Sequence, residues 1–382
     1  MKRLMLLILL LAVIPAGCAR EKDDSMPSTD PPPAEENSKS AVETLLEDMT
    51  LVEKAGQLFM VGIEGTQLDQ DTALFLKENK IGGVILFGRN IESPGQVGRL
   101  TEKLQGLKAG PAGVGMLIAT DQEGGRVNRL PGDEGRFPSA EALARDNNTD
   151  TVKDAAEKMA VQLKGMGINL NFAPVLDINS NPDNPVIGDR AFGSDPQTVS
   201  RMGMAFIQGT LDGGVVPAAK HFPGHGDTLV DSHTDLPVVS YSPKRLEGFE
   251  LVPFSKAVKN GVPAIMSAHI LIREIDSEYP ATLSPAVING ILREKMGFDG
   301  VVVSDDLDMG AITGLYSHGE AAVRAINSGI DILLIGHGRE GMAEALEAVQ
   351  AAAKSGDIAP DTIDRAVMRI LTLKEKFGLV DG

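Results

Sequence analysis

Eight short apolar runs, several of them ending on a polar or charged residue and separated by amphipathic stretches, constrain this chain more than any other feature. They are QLFMVGI (57–63), GGVILF (82–87), GMLIATD (115–121), LNFAPVLDI (170–178), VVPAAKHF (215–222), AIMSAHI (264–270), GVVVSDDL (300–307) and DILLIGH (331–337). Parallel strands covered on both faces read as near-continuous apolar segments, and joining them needs a crossover long enough for a helix. The intervening stretches supply such helices. DTVKDAAEKMAVQLKGMG (150–167) stops at Gly165 and Gly167, and SPAVINGILREKMG (284–297) opens on Ser284 as N-cap with Pro285 in the first turn. Eight strand and helix units in residues 41–382 predict an α/β protein built as a single (β/α)8 barrel of the TIM type, with no second domain. Barrels of this kind carry their active sites at the C-terminal ends of the strands. Asp121, Asp177, Lys220, His221, His269, Asp305 and His337 are therefore predicted to converge at one mouth.

The N-terminus is of another kind. MKRLMLLILLLAVIPAGC has basic Lys2 and Arg3, an apolar stretch from Leu4 to Ile14, and small Ala16 and Gly17 before Cys18. It reads as a signal peptide over residues 1–17, too short to span a bilayer comfortably. Cys18 is the chain's only cysteine, which excludes a disulfide framework. Its position resembles the lipidated cysteine of a bacterial lipoprotein, with Pro15 departing from the usual aliphatic residue; a plain cleaved signal is the alternative. Residues 18–40, charged and rich in Pro and Ser, have no hydrophobic periodicity and read as a disordered tether. The chain is thus expected outside the cell membrane, touching it only through a lipid anchor, or else secreted. A net charge of −17, 4% aromatic residues, no Trp and no run of Lys or Arg argue against a nucleic-acid partner.

The densest chemistry lies in KHFPGHGDTLVDSH (220–233). Lys220 and His221 end the fifth run, and Pro223, Gly224 and Gly226 force a loop that Asp231 and His233 close. A carboxylate beside an imidazole fixes its tautomer and stabilises its protonated form, which suits a general acid/base. VVVSDDLDMGAI (301–312) runs an apolar strand into Asp305, a carboxylate held by the sheet and placed to act as a nucleophile. Asp306 and Asp308 read as caps of the following helix. ATDQEGGRVNRL (119–130) offers Asp121, Arg126 and Arg129, a carboxylate and forked donors that match sugar hydroxyls; an internal salt bridge of Asp121 with one arginine would use the same residues. Arg190, in DNPVIGDRAFGSDP (183–196), is either a ligand clamp or a loop staple.

Two further patterns compete. GHGREG (336–341) matches G-x-G-x-x-G, but the chain beyond Gly341 reads as helix to the end, without the second strand a dinucleotide fold requires. His221, His225, His233, His269 and Asp305 could serve a metal-dependent barrel hydrolase, although no strand carries an H-x-H pair. No metal and no cofactor are expected. A non-catalytic sugar-binding surface lipoprotein is the remaining alternative.

KHFPGHGDTLVDSH, SDDLDM, DQEGGRVNRL and DRAFG, in their order, resemble the conserved blocks of family 3 glycoside hydrolases, in the β-N-acetylglucosaminidase branch, over nearly all of residues 41–382. The resemblance implies that Asp305 is the nucleophile, His233 the acid/base and Asp231 its partner, while Asp121, Arg129, Arg190, Lys220 and His221 hold the terminal sugar. It implies a retaining, two-step hydrolysis of terminal β-linked GlcNAc. Together with export it implies glycans derived from peptidoglycan as substrate. A monomer is expected, and the absence of the second domain found in some secreted relatives bears on reach or regulation rather than on catalysis.

Overall fold

The computed structural model describes residues 40–380 apart from Ala109, Ala112 and Gly113. The expected signal peptide, Cys18 and the tether as far as Lys39 lie outside the described residues.

Ten strands are present among the described residues: β1 (Phe59–Gly62), β2 (Gly83–Ile85), β3 (Leu117–Thr120), β4 (Leu170–Asn171), β5 (Val216–Phe222), β6 (Val238–Val239), β7 (Ala264–Ser267), β8 (Leu271–Ile272), β9 (Val301–Val303) and β10 (Leu333–Ile335). All but β6 and β8 form one parallel sheet in the order β10-β1-β2-β3-β4-β5-β7-β9. A parallel bridge between Val303 and Ile332 joins its two ends, so the sheet curls round to meet itself. Each barrel strand falls inside one of the eight apolar runs, as a (β/α)8 barrel requires.

The strands are shorter than the runs, and the reason is local. LNFAPVLDI leaves the ladder after Asn171 because Pro174 has no N–H to offer; the chain rejoins its neighbour through a single bridge from Val175 to Lys220. In GVVVSDDL the strand ends at Val303, and the residues beyond are already mouth.

Helices cover the barrel and begin where side chains satisfy their free amides. Ser40 and Glu43, Thr50 and Glu53, and Ser317 and Glu320 each form reciprocal caps. The expected 150–167 helix runs from Thr149 to Gly165. The 284–297 segment departs from an ordinary helix. Ser284 Oγ accepts from Val287 N at 3.3 Å, but Ala286–Lys295 winds as a π-helix, with Met296 N reaching Ile291 O at 3.0 Å. Apolar side chains of strands and helices share one core, in which Phe59, Phe172, Phe206, Phe222 and Phe254 are fully buried. Each such ring contributes about 1.5–3 kcal/mol by leaving water. Phe222 meets Phe254 edge to face at 5.4 Å, fixing the base of the loop that follows β5.

Candidate active site

At the C-terminal mouth of the barrel lies a cavity of about 240 Å³. Asp121, Arg129, Arg190, Lys220 and His221 line it. Asp305, His233 and His337 line it as well, so polar endings separated by more than two hundred residues do converge.

The floor is an ion-pair network. Successive residues of a regular strand face opposite sides, yet Lys220 and His221 both line the cavity, because the pairing of β5 with β7 loses register between Ala219 and Phe222. Lys220, 2% exposed, donates to Asp121 at 2.6 Å and lies 2.8 Å from Glu123. Arg190 grips the same Glu123 with two parallel bonds, Nε at 2.8 Å and Nη2 at 2.7 Å. Burial alone would raise the Glu123 carboxyl, but the Lys220 and Arg190 charges outweigh it and hold the group far below the ordinary carboxylate range. Its partners respond in the opposite sense: burial would lower Lys220 and Arg190, and the carboxylates raise both. His221 is fixed from behind by Asp177, whose Oδ2 lies 2.6 Å from Nδ1. That leaves Nε2 toward the cavity, 3.4 Å from Arg190 Nη2.

Asp305 sits two residues past the apolar end of β9, its amide held by Ser267 O at 3.1 Å. Burial pushes its carboxyl up, but the imidazoles of His221 and His269, the Asp306 amide and the Lys220 ammonium together bring it below the ordinary value. An ionised carboxylate facing a cavity can attack an electrophilic carbon. The neighbouring Asp306 is the reverse case: burial, with Asp308 and Asp305 adding repulsion, pushes it up to about 7 against the hydrogen bonds it accepts.

The acid/base candidate lies on the loop between β5 and β6. His233 Nδ1 is 2.7 Å from Asp231 Oδ1, and the His233 amide donates to the same oxygen at 2.9 Å. The imidazole side chain is 65% exposed, in sharp contrast to the floor. Burial would raise Asp231, but the bonds from His233 hold it below its ordinary value. The far end of the loop is pinned by the small parallel pair β6 and β8, with Val238 opposite Leu271. Its middle rests on the segment after Asp305: Gly310 N donates to His233 O and Ala311 N to Ser232 O, both at 3.2 Å. A Cβ on Gly310 would come within 2.8 Å of Thr234 O, so glycine is required for this approach.

Other sequence readings fare differently. Asp306 and Asp308 do not cap the next helix: Gly310–Thr313 has Met309 at its N-cap and no side-chain cap bond. The chain after Asp305 turns instead toward the loop after β10, where the nearer amides are. Asp306 Oδ1 accepts from Gly336 N at 2.9 Å, while Asp308 takes His337 N at 2.6 Å and His318 Nε2 at 2.7 Å. Asp121 pairs with Lys220 rather than with an arginine. Arg126 is a staple, bonded to Val186 O and Ile187 O and paired with Asp189. Arg190 both lines the cavity and bonds Val186 O at 3.3 Å, so clamp and staple coexist. Arg129 lines the cavity with its Nε buried and unpartnered. His269 stands behind the wall, fully buried between Thr282 Oγ1 and Asp306 O. His337 stacks on Phe87 at 5.2 Å, and Arg89 covers that ring at 4.6 Å. The GHGREG segment leads into helix Arg339–Ser355 and then helix Pro360–Lys376, not a second strand. Among the described residues no group of three or more His, Cys, Asp or Glu is arranged to hold a metal ion.

Sequence reasoning missed Glu123. It lies two positions after Asp121, the spacing that returns a side chain to the same face of an extended segment, and a site gathering Lys220 with Arg190 needs a carboxylate to balance them.

Comparison with known proteins gives a single answer. The family model described as the glycosyl hydrolase family 3 N terminal domain matches residues 50–373. A β-hexosaminidase of Alkalilimnicola ehrlichii is 38% identical over 282 residues, 72% of this chain and 79% of that protein. The β-hexosaminidase LpqI of Mycobacterium tuberculosis is 36% identical over 329 residues, 84% of this chain and 82% of the other. Among solved structures, a family 3 β-N-acetylglucosaminidase from Paenibacillus sp. str. FPU-7 superimposes with a TM-score of 0.85 at 44% identity, covering 87% of this chain. This chain spans 64% of that larger protein. NagZ from Neisseria gonorrhoeae, solved with N-trifluoroacetyl-D-glucosamine, gives a TM-score of 0.69 at 29% identity over 83% of this chain and 97% of its own.

Proposed function

The chain belongs to glycoside hydrolase family 3, and within that family we propose that it is a retaining β-N-acetylglucosaminidase that removes terminal β-linked GlcNAc through a glycosyl-Asp305 intermediate. One observation carries the reading: a single cavity joins a carboxylate held ionised, Asp305, to an imidazole, His233, whose inner nitrogen is already engaged by Asp231. The names of the relatives support the N-acetylhexosamine, and the acylated glucosamine bound by the Neisseria protein supports it further.

In the first step the Asp305 carboxylate attacks the anomeric carbon while protonated His233 gives its Nε2 proton to the departing glycosidic oxygen. The C–O bond to the leaving group breaks as the ester to Asp305 forms. In the second step neutral His233 takes a proton from water, the resulting hydroxide attacks the same carbon, and the Asp305 carboxylate departs. Two inversions give net retention. Asp231 holds Nδ1 in both steps and stabilises the imidazolium that enters the first and is regenerated by the second. Asp121, Arg129, Arg190, Lys220 and His221 bind the hydroxyls of the terminal sugar; all but Arg129 are paired in advance and need little reorganisation.

The substrate proposed is glycan derived from the cell wall, met outside the membrane by an enzyme exported on its signal peptide and held by a lipid on Cys18. Labelled palmitate followed on a gel tests the anchor: label lost in Cys18→Ala supports it, and an unlabelled wild type contradicts it. The activity itself is tested by nitrophenol release from an aryl β-GlcNAc. Asp305→Ala should abolish turnover. His233→Ala should slow release of the enzyme-bound sugar while sparing the first step, since nitrophenolate leaves without a proton. Full turnover in Asp305→Ala would end the proposal. Loss of activity on chelation, with metal in the purified protein, would favour the metal-dependent alternative.

A further inference from the structure

His225 is the histidine of the dyad loop that the proposed chemistry leaves idle. It lines the cavity, is 2% exposed, and has all its polar atoms engaged by protein. Its amide donates to Asp177 Oδ1 at 2.7 Å, and its carbonyl accepts from Asn184 Nδ2 at 2.8 Å. The ring reaches in two directions, Nδ1 to Thr228 Oγ1 at 2.7 Å and Nε2 to Ser232 Oγ at 3.1 Å. Burial holds this imidazole below its ordinary value, the Asp177 charge opposing, so near neutrality it carries one N–H and one lone pair. Each hydroxyl can donate or accept, so either tautomer leaves both ring nitrogens satisfied; Thr228 Oγ1 also reaches the His225 carbonyl at 3.1 Å.

What these bonds enclose is the exposed tip of the loop. Thr228 and Ser232 are buried, while Leu229 between them is 71% exposed and Val230 39%. Asp231 lies inside the staple, and His233 follows its outer end. A loop exposing two aliphatic side chains has little burial of its own to order it. The buried imidazole adds a constraint at both ends, beside the backbone bond from Ala311 N that also holds Ser232. Its own backbone is fixed through Asp177, the carboxylate that also orients His221 on the sugar side, and the two rings meet edge to face at 6.1 Å. One carboxylate thus sets the sugar-binding imidazole and the base of the acid/base loop in a common frame.

We propose that His225 is a positioning residue for the acid/base: by clamping Thr228 and Ser232 it holds Asp231 and His233 over the glycosidic oxygen, without itself touching the reacting atoms. The inference rests on the reading of His233 as the acid/base, and the experiment separates the two. The first-step rate is measured for a dinitrophenyl β-GlcNAc, whose leaving group needs no proton, and kcat/KM for methyl β-GlcNAc, whose leaving group does. His233→Ala, His225→Ala, His225→Gln and the double variant Thr228→Val/Ser232→Ala are compared with wild type, with a thermal melt for each.

In His225→Ala, kcat/KM on the methyl glycoside should fall about 100-fold, the scale of an ångström-sized misplacement, while the dinitrophenyl first step changes little. His225→Gln, which restores a donor and an acceptor, should recover part of the loss. The double variant keeps His225 and should reproduce the leaving-group dependence, so it decides the matter if His225→Ala fails to fold. Equal losses on both substrates, or no loss in the double variant, would overturn the inference while leaving His233 as acid/base. His233→Ala without leaving-group dependence would overturn that reading, and this inference with it.

Discussion

The floor of the cavity and the loop above it are built in opposite ways, although residues 220–233 supply parts of both. On the floor the side chains of Lys220, Glu123 and Arg190 are 3%, 4% and 11% exposed, and both cations pair with the one carboxylate. On the loop His233 and Asp231 are 65% and 40% exposed, and their bond is one that water can reach. Buried charges must be paired and, once paired, are costly to separate; exposed pairs add little stability but move cheaply. A site that must recognise one sugar and then protonate and deprotonate two different oxygens has use for both. In the proposed mechanism recognition falls to the buried, paired floor and proton transfer to the exposed dyad.

Substitutions should therefore divide by location. Asp305→Ala removes the proposed nucleophile and should lower kcat by about 10⁴-fold or more; steady-state turnover of aryl β-GlcNAc measures it, and residual activity within tenfold of wild type would break the division at its root. His233→Ala, on the loop, should cost about 10²–10⁴-fold in kcat/KM for a poor leaving group with an unfolding midpoint in urea within error of wild type. Glu123→Ala, on the floor, strands Arg190 without its carboxylate and leaves Lys220 to Asp121 alone, and should cost about 3–5 kcal/mol of stability, read from the same urea curves. A loop substitution that destabilises as much as Glu123→Ala would erase the contrast.

An effect read through pH concerns a third region, the buried Lys374, which donates to Gln57 Oε1 at 2.6 Å and Gly82 O at 3.0 Å and has no ion-pair partner among the described residues. Burial pushes it down to about 7, against about 10.4 in the unfolded chain. Between those values the unfolded chain holds a proton the folded one lacks, so stability should rise with pH across the window and fall again as pH drops toward 7. The slope is at most about 1.4 kcal/mol per pH unit. Lys374→Met should flatten that part of the profile in urea unfolding measured from pH 7 to 10; an unchanged slope would assign it to other groups.

Much of the barrel is legible in the sequence because strands covered on both faces must be apolar throughout, and such runs are visible one at a time. The convergence of Asp121, Lys220, His221 and Asp305 follows from the same rule, since strand ends share a mouth. Side-chain roles outside the strands are less legible. Asp306 and Asp308 look like helix caps because Asp commonly caps, yet their bonds go to Gly336 and His337, some thirty residues on, which local sequence cannot reveal. Beyond the two-residue spacing of Glu123 from Asp121, Glu123 and His225 carry no local signal but residue type; their meaning lies in partners brought together by folding. His269, which ends a run like the others, turns inward to Thr282, and no strand-end rule separates it from His221.

The most direct test is to look for the bond that Asp305 is proposed to form. His233→Ala, which should glycosylate readily and hydrolyse slowly, is mixed with dinitrophenyl β-GlcNAc, quenched in acid, digested and mapped by mass spectrometry. The expected result is one N-acetylhexosaminyl addition on the peptide carrying Asp305, absent when Asp305 is Ala. A prompt dinitrophenolate burst with no adduct, or an adduct on another residue, would contradict the mechanism.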